Sequence, residues 1–260
     1  MNESIDVKEK GINGFQLKII GAILMVFDHI HQMFVGMGAP KFLNALGRPV
    51  APIFLFMVSE GFHYTRNRGK YLFRLWLAYV LMGISSMVIQ RTFPSEIVLM
   101  NSIFGTMCLS VFYMWMIDNI INGIKSREIK RVVLSVIAII LSIASSYILI
   151  LLLSVNTTIA MVFTFLFPSP FLVEGGIVWI IMAVAFYLLR SKGRVAQMLP
   201  IVVISIMLIT KGDYLQSLMI FAIIPLLLYN GKLGKKSKYF FYIFYPAHIY
   251  ALYLLAYFIQ

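Results

Sequence analysis

The chain contains several apolar stretches of about 20 residues that are nearly free of charge, and its basic residues cluster in short connections between apolar stretches. An α-helix of about 20 residues is long enough to cross a hydrocarbon core of about 30 Å. Because 61% of the 260 residues are hydrophobic and only 12% are charged, one soluble globule could not bury the apolar surface. The pattern predicts an all-α integral membrane protein.

The positions of the basic residues predict its orientation. Lysine and arginine favour the cytoplasmic side of a membrane, and here they cluster between apolar stretches, so the net charge of +12 does not indicate a nucleic-acid partner. We predict nine transmembrane helices, a cytoplasmic N-terminal segment over residues 1–16 and a C-terminus outside. The following spans place all basic clusters, with Lys8 and Lys10, on the cytoplasmic side: 17–36, 49–64, 71–90, 98–121, 132–153, 172–189, 197–210, 214–229 and 239–259.

One apolar segment does not fit a full crossing. In residues 154–171, only about a dozen apolar residues precede Pro168 and Pro170, which favours a re-entrant segment or half-helix at the outer face. No internal repeat or long linker divides the chain, so residues 1–260 are predicted to form a single domain. No cleavage pattern of small residues follows the N-terminal segment, so the first helix is expected to be retained. We expect a multi-pass protein of the cell membrane.

Polar residues within the first predicted helix indicate a site. Lys18 and His29 are eleven positions apart, about three helical turns, so they share one face and are separated by about 16 Å. Ionisable groups inside a membrane are costly and commonly functional. Asp28 points about 100° away from its neighbour. It either forms a structural ion pair with Arg48 or helps to orient His29.

The second helix presents polar residues near its cytoplasmic end. Glu60 and His63 share a face, and Arg66, Arg68 and Arg74 follow. Two interpretations remain open. The cations are either an orientation signal with an ion pair for Glu60, or a seat for the phosphates of a cytosolic ligand such as coenzyme A.

The last predicted helix carries a second polar group. Asn230 and Gly231 predict a turn before it. Within it, Tyr245 and His248 lie three positions apart on one face, and Pro246 between them removes a backbone donor. Free carbonyls beside a histidine are typical of helices that line cavities.

Three segments together resemble the TraX family, which is named for a conjugation protein that acetylates the N-terminus of F-pilin. They are LKIIGAILMVFDHIHQMF, RPVAPIFLFMVSEGF and YNGKLGKKSKYFFYIFYPAH. The family is similar to a wider group of transmembrane acyltransferases. In that group a polar or basic residue and a catalytic histidine flank ten residues, which corresponds to Lys18 and His29. The common bacterial form has arginine at the first of these positions, and Lys18 keeps the charge without the bidentate geometry.

The resemblance implies transfer of an acetyl group from cytosolic acetyl-CoA, without a metal, to an acceptor at the outer face. The acceptor would be an amine of a protein or peptide, or a glycan hydroxyl, close to membrane lipid. His29 would act as general base, because imidazole titrates near neutral pH, with help from Asp28, Tyr245 and His248. The pantetheine arm of the donor would follow the face from Lys18 to His29. The expected donor-binding residues are Lys18, Glu60, His63, Arg66, Arg68, Arg74, Asn230 and Lys238, and the expected acceptor-binding residues are His31 and Arg48.

A transporter is the alternative from another functional class. Intramembrane acids and histidines also form proton pathways for small solutes. Transport usually comes with paired structural repeats, and the sequence shows no such symmetry. Stabilisation by coenzyme A would distinguish the two functions, because a ligand that binds only the folded state raises its melting temperature.

Overall fold

The computed structural model describes residues 11–99, 102–235 and 238–259, with side chains except at positions 238 and 239. Lys8, Lys10 and the side chain of Lys238, which the predictions above include, lie outside the described residues. The described part is helical and contains no β-strand. Its helices are α1 (Gly14–Phe34), α2 (Lys41–Gly47), α3 (Val50–Tyr64), α4 (Arg68–Thr92), α5 (Ile103–Lys125), α6 (Ile129–Val155), α7 (Thr157–Leu166), α8 (Gly176–Leu188), α9 (Arg194–Thr210), α10 (Tyr214–Ser217), α11 (Ile223–Leu227) and α12 (Lys238–Ile259).

Six helical segments of the described chain are long and apolar enough to cross a membrane, which agrees with an all-α membrane protein. Shorter apolar helices fill the remaining predicted spans. The span predicted at 214–229 is broken into α10, a 3-10 segment and α11, and Pro225 within it cannot donate a backbone hydrogen bond. The six long segments are Gly14–Met37, Lys41–Tyr64, Arg68–Thr92, Ile103–Lys125, Ile129–Val155 and Phe240–Ile259.

Asparagine side chains begin three of the helices. Asn13 accepts a hydrogen bond from the Gln16 backbone and closes a capping box at the start of α1. Asn67 caps α4, and Asn156 caps α7 directly after the end of α6. Because Asn156 leaves the helical conformation, the apolar run that spans α6 and α7 is divided at this residue.

Ion pairs mark the two ends of the helix bundle. At the basic end, Arg68 at the start of α4 pairs with Asp118 near the end of α5, and Arg190 beyond α8 pairs with Glu60 near the end of α3. At the distal end, Arg48 pairs with Asp28 in the second half of α1. Helices α1 and α4 therefore run from the basic end towards the distal end, whereas α3, α5 and α8 run in the opposite direction.

Helix α12 runs parallel to α1. Gly14 at the start of α1 donates its backbone N–H to the carbonyl of Lys232, in the connection that leads to α12. Further along, His29 of α1 contacts His248 of α12. At its end, the Tyr253 hydroxyl donates to the carbonyl of Phe93, which caps the end of α4. The first and last helices thus begin at one end of the bundle and finish at the other.

Helix α7 turns back into the bundle after α6. It has ten residues, about 15 Å of helix, and this agrees with the short helix predicted from the sequence. Its last carbonyls accept hydrogen bonds from Tyr79 and Trp76, which lie in the middle of α4. The chain then returns towards the distal end, where the Thr106 hydroxyl of α5 donates to the carbonyl of Glu174 at 2.5 Å.

The long helices differ in how much of their surface is buried. In the apolar windows of α5 and α6, 61% and 17% of the residues are buried. The outward side chains of α6 are large and apolar, for example Leu141 and Leu151, which are 63% and 66% exposed. A surface of this kind is stable in lipid and unfavourable in water. Helices α3 and α5 therefore form the centre of the bundle, and α4 and α6 its lipid-facing side.

Candidate functional site

Two histidines from opposite ends of the sequence form a hydrogen-bonded pair. The Nδ1 atom of His29 lies 2.7 Å from Nε2 of His248, and Nδ1 of His248 lies 2.7 Å from the carbonyl oxygen of Phe244. A carbonyl only accepts, so in the neutral pair Nδ1 of His248 carries a hydrogen and its Nε2 is the acceptor. His29 therefore donates from Nδ1. The lone pair of His29 lies on Nε2, which has no hydrogen-bond partner among the described side chains.

The local structure of α12 holds His248 in this orientation. Its ring stacks on Phe244 one turn earlier, with ring centres 4.8 Å apart. Pro246 lies between these residues inside the helix. Tyr245 is 7% exposed, and its hydroxyl oxygen accepts a 3.5 Å hydrogen bond from the backbone of Ile103. The accepting oxygen leaves the hydroxyl hydrogen of Tyr245 available to a ligand.

Asp28 pairs with Arg48, as the first of the two interpretations predicted. Arg48 also donates from Nη1 to the Gln216 side chain at 2.8 Å and from Nε to the carbonyl of Asn44 at 3.1 Å. A Cβ atom at Gly47 would collide with the Asp28 side chain, so glycine is required for this approach. The Asp28 carboxylate forms its ion pair with Arg48 and makes no hydrogen bond to the His29 ring. The side chain that fixes the His29 ring is His248.

These side chains surround a cavity of about 610 Å³ between α1, α4, α12 and the chain before α8. We call it the His29 cavity. Tyr245 faces it, and the ring centres of His29 and Tyr245 are 6.1 Å apart. His31 is 9% exposed, and its Nε2 has no hydrogen-bond partner among the described residues. The polar side chains that line this cavity include Asp28, His29, His31, Arg48, Glu174 and Tyr245.

The sequence interpretation missed Glu174. It lies directly before Gly175 and Gly176, whose φ angles of 71° and 56° form the turn into α8. No described side chain donates a hydrogen bond to its carboxylate. Burial raises the pKa of the Glu174 carboxyl to about 7, the charge of Asp28 adds to the rise, and Arg48 opposes it. One feature of the sequence could have drawn attention to Glu174: it is the sole acidic residue between Glu128 and Asp213.

Charged side chains at the basic end of the bundle form ion pairs with one another. Arg190 donates from Nε to Glu60 at 2.9 Å and from Nη2 to the Tyr64 hydroxyl at 2.8 Å. Arg68 lies 2.5 Å from Asp118, which also accepts from the hydroxyl of Tyr187. The sequence interpretation did not include Arg190 or Asp118, because their partners are distant in the chain. The ion pair predicted for Glu60 is present.

Arg194 adds a stacked contact to this end. Its guanidinium lies 4.9 Å from the ring centre of Phe56 and 4.8 Å from that of Tyr229. Its Nη1 also donates to the side chain of Gln197 at 3.0 Å. A guanidinium between two aromatic rings is stabilised by the ring electrons, and these contacts tie α9 to α3.

The structure distributes the predicted phosphate-binding residues over several environments. Glu60 and Arg68 are engaged in the ion pairs above. The Lys18 ammonium lies 5.6 Å from the ring centre of Phe241, so α12 covers the α1 face that was predicted to hold the donor. The Asn230 side chain accepts from the backbone of Lys232 and forms the predicted turn. His63 and Arg66 are exposed at the basic end.

Comparison with known proteins identifies the family. The family model described as TraX protein matches residues 13–256. The chain belongs to the TraX family. A relative of this TraX chain is the probable fimbrial assembly protein FimC, serogroup H1, of Dichelobacter nodosus, which is 25% identical over 276 aligned positions that cover 96% of each protein. No solved structure matches the chain.

The TraX chain has a second, apolar cavity of about 310 Å³ between α4 and α12, which we call the α4–α12 groove. Arg74 lies in its lining, and the Nε atom of Arg74 is buried without a hydrogen-bond partner among the described residues. Pro246 lines the groove from α12. Met82 lines both the groove and the His29 cavity. Arg74 thus differs from Arg68, because no described carboxylate neutralises it.

Proposed function

We propose that this protein is a transmembrane acyltransferase that moves an acetyl group from cytosolic acetyl-CoA to an acceptor at the outer face. The proposal is supported by membership of the TraX family. The resemblance described above links the name of this family to the acetylation of F-pilin. The observation that carries it is the histidine pair. In the neutral pair, Nε2 of His29 keeps its lone pair, has no hydrogen-bond partner among the described side chains, and lies beside a cavity large enough for reacting groups.

We propose nine crossings with the basic end in the cytoplasm and the distal end outside. An odd number is supported by the parallel directions of α1 and α12. The basic connections that include Arg66, Arg127 and Lys192 would all lie in the cytoplasm. Helix α7 would be a re-entrant segment, since it ends against the middle of α4. The His29 cavity would then open towards the outer face.

The proposed reaction is direct transfer. The amine or hydroxyl of the acceptor attacks the thioester carbonyl, a C–N or C–O bond forms, and Nε2 of His29 takes the proton from the attacking atom. The C–S bond breaks, and the coenzyme A thiolate leaves and receives that proton. His248 would be a positioning residue, because its Nε2 accepts from the Nδ1–H of His29 before and after the proton moves. The Tyr245 hydroxyl would donate to the oxyanion.

We propose the α4–α12 groove as the route of the donor, in place of the α1 face that α12 covers. The buried Nε of Arg74 has no hydrogen-bond partner in the described part of the chain and is suited to a phosphate oxygen. The apolar lining that follows would accommodate the pantetheine arm and the acetyl group. Because Met82 borders both spaces, a thioester carried along the groove would arrive beside His29.

The acceptor would be an amine of a secreted or membrane-anchored protein or peptide, or a glycan hydroxyl. The fimbrial assembly name of the relative favours a protein subunit that is exported to a surface fibre. Comparison of envelope peptides and glycans between a deletion strain and its parent would identify the acceptor by the loss of the acetyl mark.

Purified protein in lipid nanodiscs tests the proposal. Radiolabelled acetyl-CoA would be supplied with a short apolar peptide amide whose N-terminus is free. We expect transfer to the peptide, and a loss of about 10²- to 10⁴-fold in His29→Ala, because general-base catalysis contributes this much. Ile23→Ala is the matched control, since Ile23 lies on the same helix and is 52% exposed.

A binding measurement separates chemistry from folding. Coenzyme A should raise the melting temperature of the wild type, of His29→Ala and of Ile23→Ala alike. Wild-type transfer rates in correctly folded His29→Ala would show that His29 is not the base. No transfer and no stabilisation at millimolar coenzyme A would favour a transporter.

A further inference from the structure

The chain makes a detour that ends at Glu174. After α6 it enters the bundle as α7, reaches the middle of α4, and returns to the distal end within nine residues, 167–175. There the hydroxyl of Thr106 anchors the Glu174 carbonyl at 2.5 Å. The two glycines that follow adopt positive φ angles, which only glycine reaches without strain. The backbone therefore holds this residue firmly at the wall of the His29 cavity.

The charged groups around Glu174 do not neutralise its carboxylate. Asp28 and His29 face it from α1, Arg48 from the start of α3, and Tyr245 from α12. Arg48 is engaged with Asp28 and lies beyond ion-pair distance of Glu174. With neutral histidines, the ionised cavity carries a net charge of −1, which suits a cationic ligand. Because burial and Asp28 raise its pKa to about 7, Glu174 both binds and releases a proton near neutral pH.

A second, independent feature of the cavity indicates a ligand. His31 is 9% exposed, and its Nε2 has no partner among the described residues. Buried polar atoms in folded proteins are normally hydrogen-bonded. A buried polar atom at a cavity wall that lacks a protein partner is therefore suited to bind a ligand. Asn44 also lines the cavity, and its Oδ1 is buried without a partner within the described ranges. His31 and Asn44 could therefore form hydrogen bonds with the polar atoms of a ligand whose charged group is bound elsewhere in the cavity.

We propose that Glu174 binds the protonated amine of the acceptor in the His29 cavity and takes its first proton. This inference rests on the proposed acetyl transfer, and it selects an amine over a hydroxyl as the acceptor. An ammonium lacks the lone pair needed for attack. The ionised carboxylate accepts one N–H proton and becomes neutral, and the ammonium becomes the free amine. The amine then attacks the thioester carbonyl, and His29 accepts the second proton as described above.

The test uses two peptides that differ in one group. One is an apolar tetrapeptide amide with an N-terminal alanine. The other is its lactyl analogue, in which a hydroxyl replaces the amine. Each is added to wild-type protein and to Glu174→Gln in nanodiscs, at about pH 8 so that the carboxyl is ionised. Glu96→Gln is the matched control, because Glu96 is an exposed carboxylate in the connection after α4 that does not line the cavity.

Binding is measured first, by thermal shift without acetyl-CoA. The alanyl peptide should stabilise the wild type and Glu96→Gln. Its apparent affinity for Glu174→Gln should fall by about 10- to 100-fold, which corresponds to the loss of a charge-assisted hydrogen bond. The affinity of the lactyl analogue should change less than about threefold. Because this part needs no donor, it tests Glu174 even if the wild type fails to transfer acetyl groups and the proposed function falls.

Transfer is measured second, with labelled acetyl-CoA. Glu174→Gln should raise the KM for the alanyl peptide by at least about tenfold and should leave the small activity on the lactyl analogue unchanged. Equal losses with both peptides would assign Glu174 a structural role and overturn the proposal. Wild-type affinity and KM for the alanyl peptide in Glu174→Gln would also overturn it.

Discussion

The two ends of the bundle differ in how their charged side chains are paired. At the basic end, Glu60, Arg68, Asp118 and Arg190 form ion pairs that join α3, α4, α5 and the end of α8. At the distal end the described residues form one such pair, between Asp28 and Arg48, and Glu174 beside it has no ion-pair partner among them. Ion pairs between helices stabilise their packing, whereas polar atoms without a protein partner are available to ligands. This difference supports the proposal that acetyl transfer takes place at the distal end, while the ion pairs of the basic end stabilise the fold.

The largest effect is expected from breaking a closed pair at the basic end. Arg190→Met would leave the Glu60 carboxylate, which is 1% exposed, without its partner. We expect a loss of about 3–5 kcal/mol in the free energy of unfolding, because an unpaired buried charge is strongly destabilising. Chemical unfolding in detergent measures it.

The control for this prediction removes both partners. The double variant Glu60→Leu with Arg190→Met should recover most of the lost stability, since no charge is then left buried. If Arg190→Met alone were as stable as the wild type, the ion pair would not hold the basic end together, and the contrast between the two ends would fail.

The next largest effect is expected at the histidine pair. His248→Leu removes the acceptor for the Nδ1–H of His29, so the ring can rotate or adopt the other tautomer. We expect kcat to fall by about 10- to 100-fold, by analogy with other residues that orient a catalytic group. The melting temperature should change little.

His248→Gln is the informative partner variant. Its side-chain oxygen can accept from Nδ1 of His29, so it should restore kcat to within about fivefold of the wild type. Equal losses in the leucine and glutamine variants would mean that His248 acts by another route than fixing the tautomer.

The Glu174 carboxylate, which has no ion-pair partner among the described residues, should have a smaller and pH-dependent effect on the free energy of unfolding. Its pKa is raised from 4.5 to about 7, so the folded state holds a proton that the unfolded state has released between these values. Wild-type stability should therefore fall as pH rises through this window, and Glu174→Gln should not show that fall. Above about pH 7.5 the variant should be the more stable protein, by on the order of 1 kcal/mol after solvent screening.

Thermal unfolding at both limits of the pH window measures this difference. Glu96→Gln should follow the wild type, because Glu96 is exposed. A Glu174→Gln variant that is less stable than the wild type at high pH would show that the carboxylate has a stabilising partner.

The smallest effect is expected at the groove. Arg74→Gln should weaken coenzyme A binding by about five- to tenfold, the contribution of one charge-assisted contact that is partly exposed to solvent. Lys130→Gln is the control, since Lys130 is an exposed cation at the same end of the bundle. Isothermal titration with coenzyme A measures both. Equal affinities in the two variants would exclude Arg74 as a phosphate ligand.

Local sequence patterns predicted much of the fold. Apolar length and proline positions located most of the long helices within about five residues and also the ten-residue α7, but they did not predict α2 or the breaks within residues 214–229. The pattern also predicted the pair between Asp28 and Arg48, since both residues lie at the same depth of neighbouring helices. The spans placed at 98–121 and 172–189 instead begin at Ile103 and Gly176, because irregular segments precede them. Apolar composition does not distinguish such segments from helix.

The site was only partly predictable. His29, Tyr245 and His248 were each identified as polar or aromatic residues in unusual places, but the bond between His29 and His248 joins positions 219 residues apart. The sequence did not predict that Phe241 packs against Lys18 on the proposed donor face of α1, because this contact depends on how α12 lies against α1. Glu174 had no periodic pattern to mark it. Its place in the cavity depends on the return of the chain after α7.

The sequence by itself determined the class of protein, the helices and the sign of charge at each end, because hydrophobic length and side-chain charge act locally. The tertiary structure decided which polar atoms find partners and which stay open. Helix α12 and the chain after α7 approach the same end of α1. Among the described residues, this approach leaves Nε2 of His29 without a hydrogen-bond partner and the Glu174 carboxylate without an ion-pair partner. Contacts of this kind depend on the packing of whole helices, and no single helix encodes them.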